Sequence, residues 1–181
     1  MMKIRIKFRK YGTMKFIGHL DVMRYFQKAI RRSEVNIRYS EGFSPHQIMS
    51  FAAPLGVGIT SKGEYVDIEV LDTENSKKMI DRLNAVMSEG FEILEYKLLP
   101  DDAANAMSIV AAADYSLVFR PGYEPEKESP EEWFEKLVRF FDADHVMIMK
   151  KTKKGEREMD LKPFVYELNV RKNGEVPALF M

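Results

Sequence analysis

Along the first hundred residues, apolar side chains recur with strand spacing in some stretches and with helical spacing in others. Each spacing predicts a different kind of element. Residues 3–8 alternate apolar and basic side chains with a period of two, which predicts a strand with one face in water. From 18 to 33 the apolar residues recur at helical spacing, which predicts an amphipathic helix. The remaining elements predicted here are a short strand at 48–53, a strand at 64–71, a helix that begins at Asn75 or Ser76 and is closed by Gly90, and a strand at 91–99. The predicted order is β-α-β-β-α-β, the split βαβ or ferredoxin-like arrangement.

Beyond residue 100 the pattern predicts a connector and then a partial repeat of the first unit. Ser129-Pro130-Glu131-Glu132 supplies an N-cap, a proline at the first helical position and two early acids, and so predicts a helix that runs to Phe141. Asn173-Gly174 is a strong hairpin signal. The other predicted elements are strands at 114–120, 145–150, 159–170 with a break at Pro163, and 175–181, with a charged turn at 152–158.

We therefore predict an α+β fold with a ferredoxin-like first half and a related, partial ferredoxin-like second half in one body. The predicted boundaries are a basic domain at 1–99, a connector at 100–112 and the second unit at 113–181. Because the sequence stops inside a predicted strand, we expect the second unit to be truncated at its C-terminus.

Composition narrows the class of protein. Of the 181 residues, 45% are hydrophobic, which is enough for a packed core and excludes a disordered chain. The absence of cysteine excludes disulfides, cysteine-bound zinc, iron–sulfur clusters and thiol catalysis. No apolar run approaches the roughly 18–20 residues that a bilayer span needs, so we expect a cytoplasmic protein with no membrane partner.

The net charge of zero hides an asymmetry. Residues 1–50 hold 11 lysines and arginines against three acids, whereas residues 51–181 hold 17 basic and 25 acidic residues. Such a chain either presents a basic face to an anionic partner or neutralises its two parts across an internal interface. Charge alone leaves both interpretations open.

The basic residues of the first predicted helix share one arc about 100° wide. They are Arg24, Lys28, Arg31 and Arg32. Only Asp21 interrupts this positive face, so we favour contact with a polyanion over a solvated face. A second basic cluster lies at the predicted charged turn, where a solvated tip is favoured over an RNA clamp; its members are Lys150, Lys151, Lys153, Lys154 and Arg157.

The loop after this helix brings aromatic and basic residues close together in sequence. Aromatic rings stack on unpaired bases while Arg and Lys hold phosphates, so the loop is a candidate RNA contact. The alternative is a surface loop that Phe43 anchors to the core. The predicted RNA-binding residues are Arg24, Lys28, Arg31, Arg32, Arg38, Tyr39, Phe43 and His46.

Catalytic and metal-binding motifs are absent from the sequence. There is no phosphate-binding glycine loop, no dinucleotide fingerprint, no H-E-x-x-H and no G-x-S-x-G. His19, His46 and His145 do not have metal-ligand spacing, so we expect no metal, no cofactor and a binding protein rather than an enzyme. His19 falls on the apolar arc of the first helix, which favours a place at the edge of the core over phosphate binding.

Several stretches resemble a known family. They are Gly18-His19-Leu20-Asp21-Val22-Met23-Arg24, Ala29-Ile30-Arg31-Arg32, Tyr39-Ser40-Glu41-Gly42-Phe43-Ser44-Pro45-His46, Glu64-Tyr65-Val66-Asp67-Ile68-Glu69 and Asp160-Leu161-Lys162-Pro163. Together they resemble the radical-SAM-linked protein family, a bacterial domain of unknown function fused to or encoded beside cobalamin-binding radical SAM proteins.

The genes found beside those of that family imply a role in the modification of tRNA or rRNA. The resemblance therefore implies an accessory protein that binds RNA and presents it to a radical SAM partner, which this cysteine-free chain cannot replace. Two alternatives stay open. One is a metal-independent endoribonuclease of tandem ferredoxin-like type with His19 or His46 as general acid or base, which rests on fold analogy. The other is a protein–protein adaptor for the radical SAM enzyme.

Overall fold

The computed structural model describes residues 1–153 and 155–181 and divides the chain into two compact units, Met1–Ala111 and Ala112–Met181. The first unit contains β1 Met2–Lys10, a 3-10 helix Gly12–Phe16, α1 His19–Arg32, β2 Met49–Phe51, β3 Ser61–Val70, α2 Ser76–Asn84, β4 Phe91–Leu99 and α3 Ala106–Ile109. The second contains β5 Ser116–Leu117, α4 Pro130–Phe141, β6 Met147–Thr152, β7 Gly155–Asp160, a 3-10 helix Lys162–Phe164, β8 Asn169–Asn173 and β9 Val176–Phe180. Helices and antiparallel sheets occur together, so the predicted α+β class is confirmed.

The first unit has one four-stranded antiparallel sheet with the strand order β2-β3-β1-β4. Every second residue is buried from Ile4 to Lys10 of β1 and from Val66 to Val70 of β3, as the period-two pattern requires. These side chains pack against the apolar stripes of α1 and α2; the centre of the core consists of Ile4, Ile6, Phe8, Phe26, Ile30, Val66, Ile68, Val70, Met79 and Leu83. The opposite face of the sheet carries the charged residues of the same strands.

Arginines tie the C-terminal ends of α1 and α2 together. Arg82 of α2 donates from Nε to the carbonyl of Ser33 at 2.5 Å and from Nη2 to the carbonyl of Glu34 at 2.7 Å. Arg32 of α1 donates in return to the carbonyl of Val86 at 2.9 Å. Carbonyls at and just beyond a helix C-terminus lack intrahelical donors, so each helix supplies donors for the chain that leaves the other.

The predicted end of the second helix is wrong. α2 ends at Asn84, and Gly90 lies in the turn before β4 with a φ of +102°. The Asn84 side chain donates a hydrogen bond to the Ile93 carbonyl and accepts one from the Ile93 N–H, which holds Asn84 against β4. Gly90 is required for a different reason, because a Cβ there would collide with Met14 and with the Tyr11 carbonyl.

The segment predicted as a connector packs on the charged face of the sheet. Ala106 is buried, and its N–H donates to Asp67 Oδ2 at 2.7 Å. Arg5 Nη2 donates to the carbonyl of Ala104 at 2.9 Å. Residues 100–111 therefore belong to the first unit and cover part of its sheet.

In the second unit, the strands form a three-stranded sheet with the order β5-β9-β8 and a separate two-stranded ribbon of β6 and β7. The predicted partial repeat in one body is not confirmed, because β6 and β7 pair only with each other among the described residues. The predicted N-cap at Ser129 and the hairpin at Asn173-Gly174 are confirmed, and Glu132 completes a capping box at the start of α4. The predicted charged turn is shorter than expected, since β7 resumes at Gly155. Lys154 lies outside the described residues.

None of the helices in the described part of the chain has the length and apolar character that a membrane crossing needs.

Candidate nucleic-acid interface

The central base of β1 is paired on the charged face of the sheet. Arg5 and Asp67 lie opposite each other in the β1–β3 register and make a two-pronged ion pair, with Nε–Oδ1 and Nη2–Oδ2 both at 2.8 Å. Both side chains are largely buried, and the hydrogen bond with Asp67 raises the pKa of Arg5. This charge is therefore neutralised inside the protein.

Lys7 and Arg9 of β1 are paired across the other neighbouring strand. Lys7 lies opposite Glu95 of β4, with Nζ–Oε1 at 3.1 Å, and the hydrogen bond raises the pKa of Lys7. Arg9 lies opposite Glu92 and forms an ion pair with it. The register of β1 thus places each of these cations beside a carboxylate, and this strand offers little free charge.

The basic face of α1 is different. Lys28 and Arg31 are exposed, and within residues 1–153 and 155–181 neither side chain makes a hydrogen bond or an ion pair. Arg24 is 3.3 Å from Asp21, but both side chains are mostly exposed, and such pairs are weak. The predicted basic arc is confirmed as a solvent-facing surface, and we call Arg24, Lys28 and Arg31 the α1 cations.

Two further residues predicted to contact RNA, Arg32 and Arg38, already bond to other groups of this chain. Arg32 is exposed but donates one hydrogen bond to the Val86 carbonyl, which leaves its charge uncompensated. Arg38 is half-buried, with Nη1 2.8 Å from Glu69 Oε2 and Nη2 3.9 Å from Glu41 Oε1. Arg38 is therefore much less available to a phosphate than the α1 cations.

The loop after α1 is a closed hairpin-like extension at the edge of the sheet. Tyr39 and Gln47 pair as an isolated antiparallel bridge. Ser40 N donates to the His46 carbonyl at 2.8 Å, and Ser40 Oγ is 2.8 Å from His46 Nδ1. Phe43 is fully exposed at the tip, so the alternative in which it anchors the loop to the core is wrong. We call residues 39–47 the aromatic loop.

A buried glutamine connects the aromatic loop to α1. Gln47 Nε2 donates to the Gln27 carbonyl at 3.3 Å and to the Tyr39 hydroxyl at 3.4 Å. On the helix surface Gln27 lies between Arg24 and Arg31, three and four residues away. The base of the loop is thereby fixed beside the α1 cations. Gln47 Oε1 is buried and has no hydrogen-bond partner in the described part of the chain.

The remaining histidines lie elsewhere. The ring of His19 meets Phe51 edge-on with the centroids 5.4 Å apart, as expected for a residue at the edge of the core. His145 Nδ1 is 2.8 Å from Asp160 Oδ2, and Asp160 Oδ1 accepts the N–H groups of Val146 and Lys162.

The His145 hydrogen bond, helped by the two amides, lowers the pKa of Asp160 to about 2. Sequence reasoning missed this pair, although it singled out the Asp160-Leu161-Lys162-Pro163 stretch. Its partners lie at the start of β6 and the end of β7, so it fastens the base of the ribbon. Among the described residues, no group of three or more potential ligands is placed to hold a metal ion.

An α+β scaffold that exposes unpaired cations beside an aromatic loop defines a protein with a candidate anion-binding surface. The chain belongs to a bacterial family described as "Uncharacterized protein conserved in bacteria (DUF2344)", which matches residues 3–181. The resemblance to a bacterial domain of unknown function is confirmed, and that description contains no link to radical SAM or cobalamin proteins. No protein of curated function matches the sequence.

Proposed function

We propose that this protein binds tRNA or rRNA through the α1 cations and the aromatic loop, and presents it to a radical SAM partner that modifies RNA in the cytoplasm. One observation carries the RNA-binding part. Lys28 and Arg31 are exposed without a partner in the described residues, whereas the bases at the centre of β1 face carboxylates.

The chemistry of the surface fits a single-stranded or looped RNA. The α1 cations hold successive phosphates, and Arg32 extends the row with its remaining donors. Phe43 is free to stack on an unpaired base, since its ring is fully exposed and contacts no other ring in the part of the chain that the structure describes. The Ser40–His46 hydrogen bonds hold the loop in one conformation and reduce the entropy lost on binding.

We also propose that the first unit is ferredoxin-like. The element order β1-α1-β2-β3-α2-β4 and the antiparallel strand order β2-β3-β1-β4 support this. Ion pairs and the segment at 100–109 occupy the open face of the sheet. The helical side is therefore the better RNA surface of this unit.

The radical SAM partner is supported by the family resemblance alone. The adaptor and endoribonuclease alternatives remain predictions, and the endoribonuclease would use His19 or His46. RNA incubated with the protein and run on a gel tests the endoribonuclease, because cleavage that disappears in His19→Ala or His46→Ala would replace the binding proposal with a catalytic one.

A salt titration tests the RNA-binding surface. Labelled tRNA and rRNA fragments are titrated with the full chain at about 50 to 200 mM salt, where several phosphate contacts cost orders of magnitude in affinity. The variant Arg24→Ala/Lys28→Ala/Arg31→Ala should weaken binding and reduce the slope of log K against log salt by about 2, since each single-strand contact contributes about 0.7.

The matched control removes the same charge from other exposed lysines of the first unit. Lys62→Ala/Lys77→Ala/Lys97→Ala should leave most of the slope intact. An equal loss in both triple variants would show a nonspecific charge effect, and an unchanged slope in the first would contradict the proposed surface.

A further inference from the structure

Four large apolar side chains are exposed together at the N-terminal end of α1. Their exposed fractions are 59% for Phe16, 66% for Leu20, 63% for Val57 and 41% for Ile59. Three of them are aliphatic and offer neither a hydrogen bond nor a stacking surface. We call these four residues the apolar patch; the RNA-binding proposal does not use them.

Two contacts join the segments that carry the patch. Gly58 N donates to the Lys15 carbonyl at 2.7 Å, which fixes the loop at 54–60 to the 3-10 helix. Val57 Cγ2 lies 4.0 Å from the point that a Cβ on Gly18 would occupy, so the loop reaches the start of α1. The three segments that carry the patch therefore lie side by side.

The surroundings of the patch carry a positive excess, with the cations Lys15 and Arg24 and the carboxylate of Asp21. Lys15 Nζ lies 5.1 Å from the centre of the Phe16 ring, and Arg24 follows Leu20 by one helical turn. Lys10 lies buried beneath, with Nζ 2.9 Å from the Ile17 carbonyl. Gly18 is the N-cap of α1 and has no side chain to accept the first amides, so the positive end of the helix dipole points to this side.

We infer that the apolar patch docks an acidic amphipathic peptide segment of a partner protein. Apolar side chains of that segment cover Leu20, Val57 and the Phe16 ring. Its carboxylates face Lys15, Arg24 and the positive end of the α1 dipole. Exposed apolar groups with a polar rim mark protein interaction sites, and the positive rim selects a negative partner.

Peptide display on the immobilised full chain tests the inference. A random peptide library should yield sequences that combine Leu, Phe or Trp with several Asp or Glu residues. Synthetic copies of these peptides should lose at least tenfold in affinity for the variant Leu20→Asp/Val57→Asp. Enrichment of basic peptides, or no enrichment, would overturn the proposal.

Controls separate the patch from the RNA surface and from general effects of charge. Leu71→Asp/Leu98→Asp makes the same change at exposed leucines elsewhere on the first unit and should keep the peptide affinity. Lys28→Glu/Arg31→Glu should lose RNA and keep the peptides, so either proposal can fail without the other. If Leu20→Asp/Val57→Asp binds the peptides as well as the parent, or loses RNA instead, the patch is not a peptide site.

Discussion

The first unit has two rows of basic residues, one on β1 and one on α1, that lie close together in the sequence. The β1 row is largely paired with carboxylates, whereas the α1 row faces solvent. On β1 the register sets Arg5 opposite Asp67 and Lys7 opposite Glu95. On α1 no strand of the first unit runs alongside the outer face, and Lys28 and Arg31 meet no carboxylate in the described residues. Whether a cation stays free is decided by the element beside it, and the count of basic residues does not decide it.

This difference answers the question that the charge asymmetry raised. Part of the positive charge of residues 1–50 is neutralised internally by the acids of β3 and β4. The rest faces solvent on one side of α1. Internal neutralisation therefore holds for the β1 row, and the α1 row stays available to the anionic partner that we propose.

The largest expected effect comes from breaking the β1 row. Arg5→Leu leaves Asp67 largely buried and without its cation, so we expect a loss of about 3 kcal/mol in the free energy of unfolding. Urea denaturation followed by circular dichroism measures it. Arg5→Leu/Asp67→Leu removes both charges and should recover part of the loss, whereas an Arg5→Leu variant as stable as the parent would show that the pair contributes nothing.

Next in size is the contribution of the aromatic loop beside the α1 row. Phe43→Ala should lower the affinity for single-stranded RNA by about 2 kcal/mol, since stacking on one base contributes about 1–3 kcal/mol. Phe43→Tyr keeps a stacking ring and should bind as the parent does. Equal RNA affinities of the alanine and tyrosine variants, measured by fluorescence anisotropy, would remove Phe43 from the interface.

A smaller effect concerns Lys10, the last basic residue of β1, whose side chain is buried. Burial lowers the pKa of Lys10 below its ordinary value of 10.5. The unfolded chain therefore binds more protons than the folded one between the lowered pKa and 10.5, and stability should rise with pH through that window. Lys10→Met should flatten this rise, and an identical pH profile of the two proteins would show that Lys10 is not the cause.

The smallest effect is expected for the α1 row itself. Lys28→Ala and Arg31→Ala should change the free energy of unfolding by less than about 0.5 kcal/mol, because exposed and unpartnered side chains contribute little. The same variants should weaken RNA binding, and Arg5→Leu should leave the salt slope intact at temperatures where it is folded. A stability loss at Arg31 as large as that at Arg5 would abolish the contrast between the rows.

Local patterns predicted most elements of the first unit and the exposed basic arc. The period-two runs predict β1 and β3, and the helical stripe predicts α1. The alternating bases of β1 and the alternating acids at Asp67 and Glu69 were both visible in the sequence. Their pairing was not, because register depends on which strands become neighbours.

The errors came from interactions between distant residues. Gly90 was assigned to a helix end on local grounds, but the contacts of Asn84 with β4 end α2 earlier. The local pattern predicts a connector at 100–112 but does not show that Asp67 accepts the Ala106 amide. Leu20 lies next to the basic arc on the helix surface, so helical spacing alone could have pointed to it. Val57 is distant in the sequence and comes near the start of α1 only in the folded chain.

The reciprocal arginine contacts between the ends of α1 and α2 make these two helices open together. Fraying of α1 at Arg32 removes the donor of the Val86 carbonyl, and unfolding of α2 at Arg82 removes the donors of the Ser33 and Glu34 carbonyls. Amide protons in the last turns of both helices should therefore exchange with solvent at similar rates. A phosphate that draws Arg32 away from the Val86 carbonyl should speed amide hydrogen exchange in α2. RNA bound to α1 would then change the stability of α2.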